Sequence, residues 1–222
     1  MTDTRSSNQR GRPRGFDEEQ VLAAAMDLFW RKGYDRASLI ELSAATKLSA
    51  SSVYNAYGSK LELFLTVLDR YLDTVDAVML GPLEHGTAGL ADIEVYFARI
   101  ADVAEHGGGR GCLAMNTIVE FRDAPAAVEE RTQRYLRTLG RALTVAVERA
   151  ARAGEIPAGN LRERVETLSA AVLAAYVLIA SGNRTTEAND LLRAVMCLVR
   201  AGGDGRDAGT GAVPADNPSH AG

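Results

Sequence analysis

The stretch Ser38-Leu39-Ile40-Glu41-Leu42-Ser43-Ala44-Ala45-Thr46-Lys47-Leu48-Ser49-Ala50-Ser51-Ser52-Val53-Tyr54-Asn55-Ala56-Tyr57-Gly58-Ser59-Lys60-Leu61-Glu62 holds three helix starts and one tight turn. Ser38 to Glu41 and Ser59 to Glu62 are both Ser-x-x-Glu. In that pattern the serine hydroxyl accepts a backbone N–H of the first turn and the glutamate reaches back to the serine N–H. The first box opens a short helix over about 38–45. Thr46-Lys47-Leu48 then turns the chain, and Ser49 caps a second short helix that runs to Tyr57. Two short helices joined by such a turn form a helix-turn-helix unit.

Upstream, Asp17 caps a helix with Gln20 three residues on, and Phe16 can staple onto Val21. Val21, Leu22, Ala25, Leu28 and Phe29 keep helical spacing until Gly33 stops the run. Downstream, Phe64, Val67, Leu68, Tyr71, Leu72, Val75 and Met79 form one stripe that Gly81-Pro82 is expected to end. A fifth helix carries Leu90, Ile93, Phe97, Ile100 and Ala104, and the glycine-rich 107–111 reads as a flexible connection. A short sixth helix covers about 112–122. Pro125 opens a seventh that finishes at Gly154, an eighth spans about 161–181 and a ninth about 187–200. There is no convincing strand run, so the expected fold is all-α with about nine helices.

Composition agrees with a globular chain: 222 residues, 46% hydrophobic and 24% charged, with a net charge of −4. Cys112 and Cys197 stand far apart outside any CxxC or Cys/His grouping, so neither a disulfide framework nor a zinc site is expected, and no cofactor. The longest apolar run, Ala170 to Ala180, is eleven residues, short of the roughly 18 that a membrane span needs. No signal-peptide core is visible, and a reduced, cytoplasmic protein without membrane contact is expected. Charge is uneven. Residues 1–60 carry nine basic side chains against seven acidic ones. The expected division is a disordered basic arm over 1–15, a helix-turn-helix domain over 16–60, a larger helical domain over 61–201 and a disordered tail over 202–222. On charge alone the arm could equally be a solubilising segment.

The string from Ala45 to Leu63, with Leu28-Phe29-Trp30-Arg31-Lys32-Gly33-Tyr34 and the Arg-Gly-Arg-Pro-Arg arm before it, resembles the TetR/AcrR family of bacterial transcriptional regulators over roughly residues 10–75. The resemblance implies a homodimeric DNA-binding repressor, a three-helix reading head and a variable ligand-binding domain. In such a head the second short helix enters the major groove, which makes Ala50, Ser51 and Asn55 the base-contact candidates. Ala50 suits a thymine methyl, Ser51 either donates or accepts, and Asn55 suits adenine. By the same resemblance Ser52, Tyr54, Lys60 and Ser38 hold phosphates, and Arg12 and Arg14 reach the minor groove. Many family members have Gly where Lys47 stands. A left-handed backbone there costs about 1 kcal/mol more than with glycine, while the lysine adds a cation beside the DNA. Tyr57 stands where Phe is common and keeps the aromatic packing.

The middle segment is expected to hold a small-molecule inducer among Tyr96, Phe97, Ile100, Cys112, Met115, Asn116, Val119, Glu120, Phe121 and Tyr135. Asn116 and Glu120 carry most of that expectation, since a polar pair on a mainly apolar helix needs partners that a ligand can provide. Cys112 opens the sixth helix beside Arg110, where a helix dipole and a cation favour thiolate. It reads either as a redox or electrophile sensor or as a buried small residue. The last two helices are expected to form the dimer interface through Leu161, Val165, Leu168, Val172, Ala175, Ile179, Leu191, Val195 and Leu198. Two rivals remain at this level. One is a ligand-independent DNA-binding dimer; the other is an enzyme with Cys112 as nucleophile and His106 as base, for which no third orienting group can be named.

Overall fold

The structure is a computed structural model that describes residues 17–182 and 184–201. The basic arm with Arg12 and Arg14, the Phe16 staple and the 202–222 tail lie outside the described residues. The elements are α1 (Glu18–Lys32), α2 (Leu39–Thr46), α3 (Ala50–Tyr57), α4 (Lys60–Val75), a π-helical turn (Asp76–Leu80), α5 (Gly81–His85), α6 (Leu90–His106), α7 (Leu113–Glu120), α8 (Ala126–Arg152), α9 (Leu161–Ala180) and α10 (Thr185–Ala201). Because α4, the π turn and α5 run on without a break, the described residues form nine helical rods, with no strand among them.

Local chemistry sets the helix starts. Asp17 accepts from the amides of Glu19 and Gln20 at 3.0 and 3.3 Å. Ser38 and Glu41 close a full capping box at 3.2 and 3.1 Å. Ser49 accepts from the Ser52 amide at 3.1 Å and Ser59 from the Glu62 amide at 3.0 Å. Lys47 ends α2 in the left-handed region, with φ 58°.

Gly81-Pro82 does not end its helix, contrary to the sequence expectation. The backbone widens instead, and the Gly81 N–H bonds to the Asp76 carbonyl five residues back. A Cβ at Gly81 would lie 2.8 Å from that carbonyl oxygen, so the bulge needs glycine. Pro82 has no N–H to offer the Val78 carbonyl, and Arg99 of α6 takes that acceptor at 2.6 Å. The 107–111 segment also departs from a flexible connection. Arg110 bonds the Gly107 carbonyl and Asp27, each at 2.8 Å, and its own carbonyl accepts from Trp30 Nε1 at 3.2 Å and Asn116 Nδ2 at 2.8 Å.

The core is continuous from head to tail. α1 packs on α2 and α4, α3 on α4, and α9 between α8 and α10. The joint between the head and the rest is aromatic. Phe64 of α4 packs edge-on against Phe29 of α1 at 5.1 Å and tilted against Tyr34 at 5.1 Å, and it stacks with Phe121, the residue after α7, at 5.8 Å. Trp30 meets Tyr71 of α4 edge-on at 5.0 Å. Truncating Phe64, which is 1% exposed, removes the centre of that cluster. Phe64→Ala is expected to cost about 3–5 kcal/mol in chemical denaturation, with loss of the near-ultraviolet aromatic signal.

Candidate nucleic-acid interface and effector region

The three capped helices of the head present α3 outward. Only Val53 of its eight residues is buried, anchoring the helix, while Ala50, Ser51, Tyr54 and Asn55 are exposed and Ser52 is half-buried. The Ser49 hydroxyl lies 2.9 Å from the Ser51 hydroxyl and 2.8 Å from that of Ser52, so the opening turn of α3 carries a linked set of donors and acceptors. Ser38 and Lys47 are exposed at the two ends of α2. Lys60 is more enclosed. Its ammonium lies 4.4 Å from the centre of the Tyr34 ring and 3.4 Å from the Asp35 carbonyl, at the turn between α1 and α2. All eight described DNA candidates therefore belong to one head, with the base candidates on its exposed helix.

The head is braced by charge as well as packing. Glu41 of α2 pairs with Lys32 at the end of α1 while also accepting from the Ser38 amide and hydroxyl. The Lys32 contact first, and the Ser38 bonds after it, hold the Glu41 carboxyl down at about 2. Being lowered in the folded head, this group stabilises above the ordinary carboxyl range and loses that contribution as pH falls through about 2. Among the further pairs that link elements are Arg70 with Glu19 at 2.7 Å, and Arg131 of α8 with Asp69 of α4 in a two-pronged contact at 3.0 and 2.7 Å.

The ten inducer candidates fall in different places rather than around one cavity. Tyr96, Ile100, Cys112 and Tyr135 are buried among α6, α7 and α8, where Tyr71 donates to the Cys112 sulfur at 3.2 Å and the Cys112 thiol points to the Tyr135 hydroxyl at 3.8 Å. Tyr176 of α9 completes this nest against Tyr96. Its apolar run hid it at the level of sequence, and a lone tyrosine in such a run was the available signal; Tyr71 was hidden in the same way within its stripe. Phe97 lies in a groove of about 620 Å³ between α6 and α10. Phe121 lies in another of about 460 Å³ with Ile118 and Val128. Met115, Asn116, Val119 and Glu120 line a cleft of about 900 Å³ between α7 and the head, with Val119 66% exposed.

Two readings need correction. Asn116 and Glu120 are not short of partners. Asn116 bonds the Arg110 carbonyl, and Glu120 accepts from the amides of Tyr34 and Asp35. Cys112 is not poised as a thiolate either. Burial pushes its thiol up, and the bonds from Tyr71 and the first amides of α7 offset this only in part.

The stripe expected at the dimer face is also turned inward for the most part. Leu168, Val172, Ala175 and Ile179 of α9 and Val195 of α10 are buried within the chain, while Leu161, Val165 and Leu191 are half-buried. A helix set between two neighbours spends one apolar face on its own chain. The exposed apolar positions include Ala170, Ala174 and Val177 of α9 and Ala194 and Leu198 of α10, with Val177 47% and Leu198 66% exposed. Arg164 is buried where the two helices meet and donates to the Val199 carbonyl near the end of α10.

Two outcomes follow from this geometry. The gap in melting temperature between the protein and Glu41→Gln is expected to be open at pH 7, to narrow below about pH 4 and to close near pH 2. At neutral pH a maleimide is expected to modify exposed Cys197 in the folded protein and to reach buried Cys112 only after denaturant is added, as read by intact mass.

Residues 21–67 match the family described as bacterial regulatory proteins, tetR family, and residues 89–196 match the tetracyclin repressor-like C-terminal domain. The HTH-type transcriptional repressor ComR of Escherichia coli (strain K12) is 35% identical over 157 residues, covering 67% of this chain and 71% of ComR. The HTH-type transcriptional repressor BdcR of the same strain is 33% identical over 120 residues, covering 53% and 60%. Among solved structures, a TetR family regulator from Agrobacterium tumefaciens superposes with a TM-score of 0.75 at 20% identity, over 82% of this chain and 96% of that one. A cysteine mutant of the TetR family regulator CifR, complexed with 26-base-pair double-strand operator DNA, does so with a TM-score of 0.74 at 22% identity, over 85% and 100%. With an outward-facing α3 on a capped three-helix head and the helical domain matched behind it, the chain belongs to the TetR family of DNA-binding transcriptional regulators and is not an enzyme.

Proposed function

We propose that this protein is a homodimeric transcriptional repressor that grips a palindromic operator with two copies of α3 and lets go when a small-molecule inducer binds in the helical domain. The observation that carries the reading is the face of α3, where one apolar side chain anchors the helix and Ala50, Ser51, Tyr54 and Asn55 are left outward. Ala50, Ser51 and Asn55 address base edges. Ser38, Lys47, Ser52, Tyr54 and Lys60 address phosphates and set the register, and Arg12 and Arg14 of the arm add minor-groove contacts. ComR and BdcR are named as repressors, and the CifR structure holds operator DNA, which supports the same role here.

Residues 16–60 form the reading head, and 61–201 carry inducer binding and dimerisation. A second copy covers the exposed stripe of Ala170, Ala174 and Val177 with Ala194 and Leu198, together with half-buried Leu191. The two heads then stand about 34–36 Å apart, one turn of DNA. The inducer lies beside the phenol and thiol nest of Tyr96, Cys112 and Tyr135 with Ile100, where room for it opens as α7 moves. There it separates α7 from α4 and favours the conformer that cannot hold both half-sites. The protein works in the cytoplasm, beside its DNA.

A mobility shift on the DNA upstream of the protein's own coding region, run over a salt series, tests this reading. Binding no tighter than to random DNA at moderate salt would refute it. Asn55→Ala is expected to weaken operator binding by about 1–3 kcal/mol and to relax preference at one base pair. Lys60→Ala is expected to weaken all sequences alike and to make the salt slope shallower by about one.

A further inference from the structure

The loop before α7 and α7 itself reach back onto the head through three polar groups. Glu120, the last residue of α7, accepts the Tyr34 N–H at 2.9 Å through Oε2 and the Asp35 N–H at 3.0 Å through Oε1. Asn116, one turn earlier, holds the Arg110 carbonyl, and that carbonyl also accepts from Trp30. The Arg110 guanidinium pairs with Asp27 at 2.8 Å and lies 5.0 Å from the centre of the Trp30 ring. Every partner on the head side lies in α1 or in the turn that leaves it.

Glu120 differs from the other two. Each of its oxygens meets one of two consecutive backbone amides, so it fixes the rotation of the α1–α2 turn as well as its distance. Those amides follow the end of α1, where no helix ladder takes them, and the carboxylate is where their hydrogen-bonding capacity goes. The residue before them fits the same contact. Gly33 has φ +79°, and a Cβ there would lie 2.5 Å from Glu120 Oε1, so a side chain at 33 and the closed clamp exclude each other. Beside the clamp runs the cleft of about 900 Å³, bordered by Arg31 and Arg36 of the head and by Thr117 and Val119 of α7. That space lets the turn tilt when the carboxylate lets go.

We propose that Glu120 is a positioning residue for DNA binding, setting the tilt of the α1–α3 head on the helical domain, and that movement of α7 reaches α3 through its carboxylate as well as through α4. The proposal rests on the operator-binding reading above. Glu120 itself touches no DNA. Its removal therefore acts on DNA binding through geometry and takes away no side chain that the operator reading assigns to a phosphate.

The test compares the full-length protein with Glu120→Ala and with Glu120→Gln, which keeps the shape and one acceptor if the alanine variant does not fold. Operator affinity is expected to fall about tenfold, with the slope of log affinity against log salt unchanged. In a Cys197→Ser background with a spin label at Ala44→Cys on exposed α2, the head-to-head distance distribution is expected to broaden. Hydrogen exchange at the amides of Tyr34 and Asp35 is expected to quicken. Affinity within about twofold of the parent and an unchanged distance distribution would overturn the proposal; so would a changed salt slope, which would mean lost contacts rather than lost tilt. If the parent protein binds no DNA, the operator reading is what fails, and amide exchange with the distance distribution still decides on the clamp.

Discussion

Phe64 is the point through which the reading head and the helical domain hold each other. It takes Phe29 and Tyr34 from the head on one side and Phe121 from the end of α7 on the other, so both halves share one aromatic cluster across α4. Interiors packed at this density pass displacement on rather than absorbing it. A shift of α7 against α4 must therefore be felt by α1. The Trp30 and Tyr71 pair repeats the arrangement half a rod further along, and Tyr71 in turn bonds Cys112 at the mouth of α7. The phenol and thiol nest is thus linked to the head through one shared side chain, although nothing in the nest lies in the head.

Much of this was legible in the sequence because helix starts are local affairs. Asp17, Ser38, Ser49 and Ser59 each cap the helix expected of them, since the acceptor and its amide are two or three residues apart and need no tertiary partner. What was not legible depends on residues far apart in the chain. Gly81-Pro82 reads as a stop until Arg99 is known to take the freed Val78 carbonyl. Glu120 shows its spacing from Asn116 but not the amides it finds, 86 and 85 residues away. The α9 stripe, much of which its own chain covers, is a different case. From Ala170 to Ala180 the helix is apolar on every side, so periodicity finds an inner face without saying whether the same chain or a second copy covers it.

The two kinds of contact at the joint do different work, and their combination explains why both are present. Aromatic rings in a cluster hold their neighbours close, but a pair has more than one favourable arrangement, offset-stacked or edge-to-face, over a range of centroid distances. The Glu120 carboxylate sets distance and angle together, because a hydrogen bond weakens steeply as it bends. The base-contact candidates on α3 are short, with Ala50, Ser51 and Asn55 reaching little beyond the helix surface. A head that reads bases with such short groups tolerates little error in tilt. A clamp that fixes rotation has its effect at that place, on α1, whose packing against α2 and α4 carries the orientation through to α3.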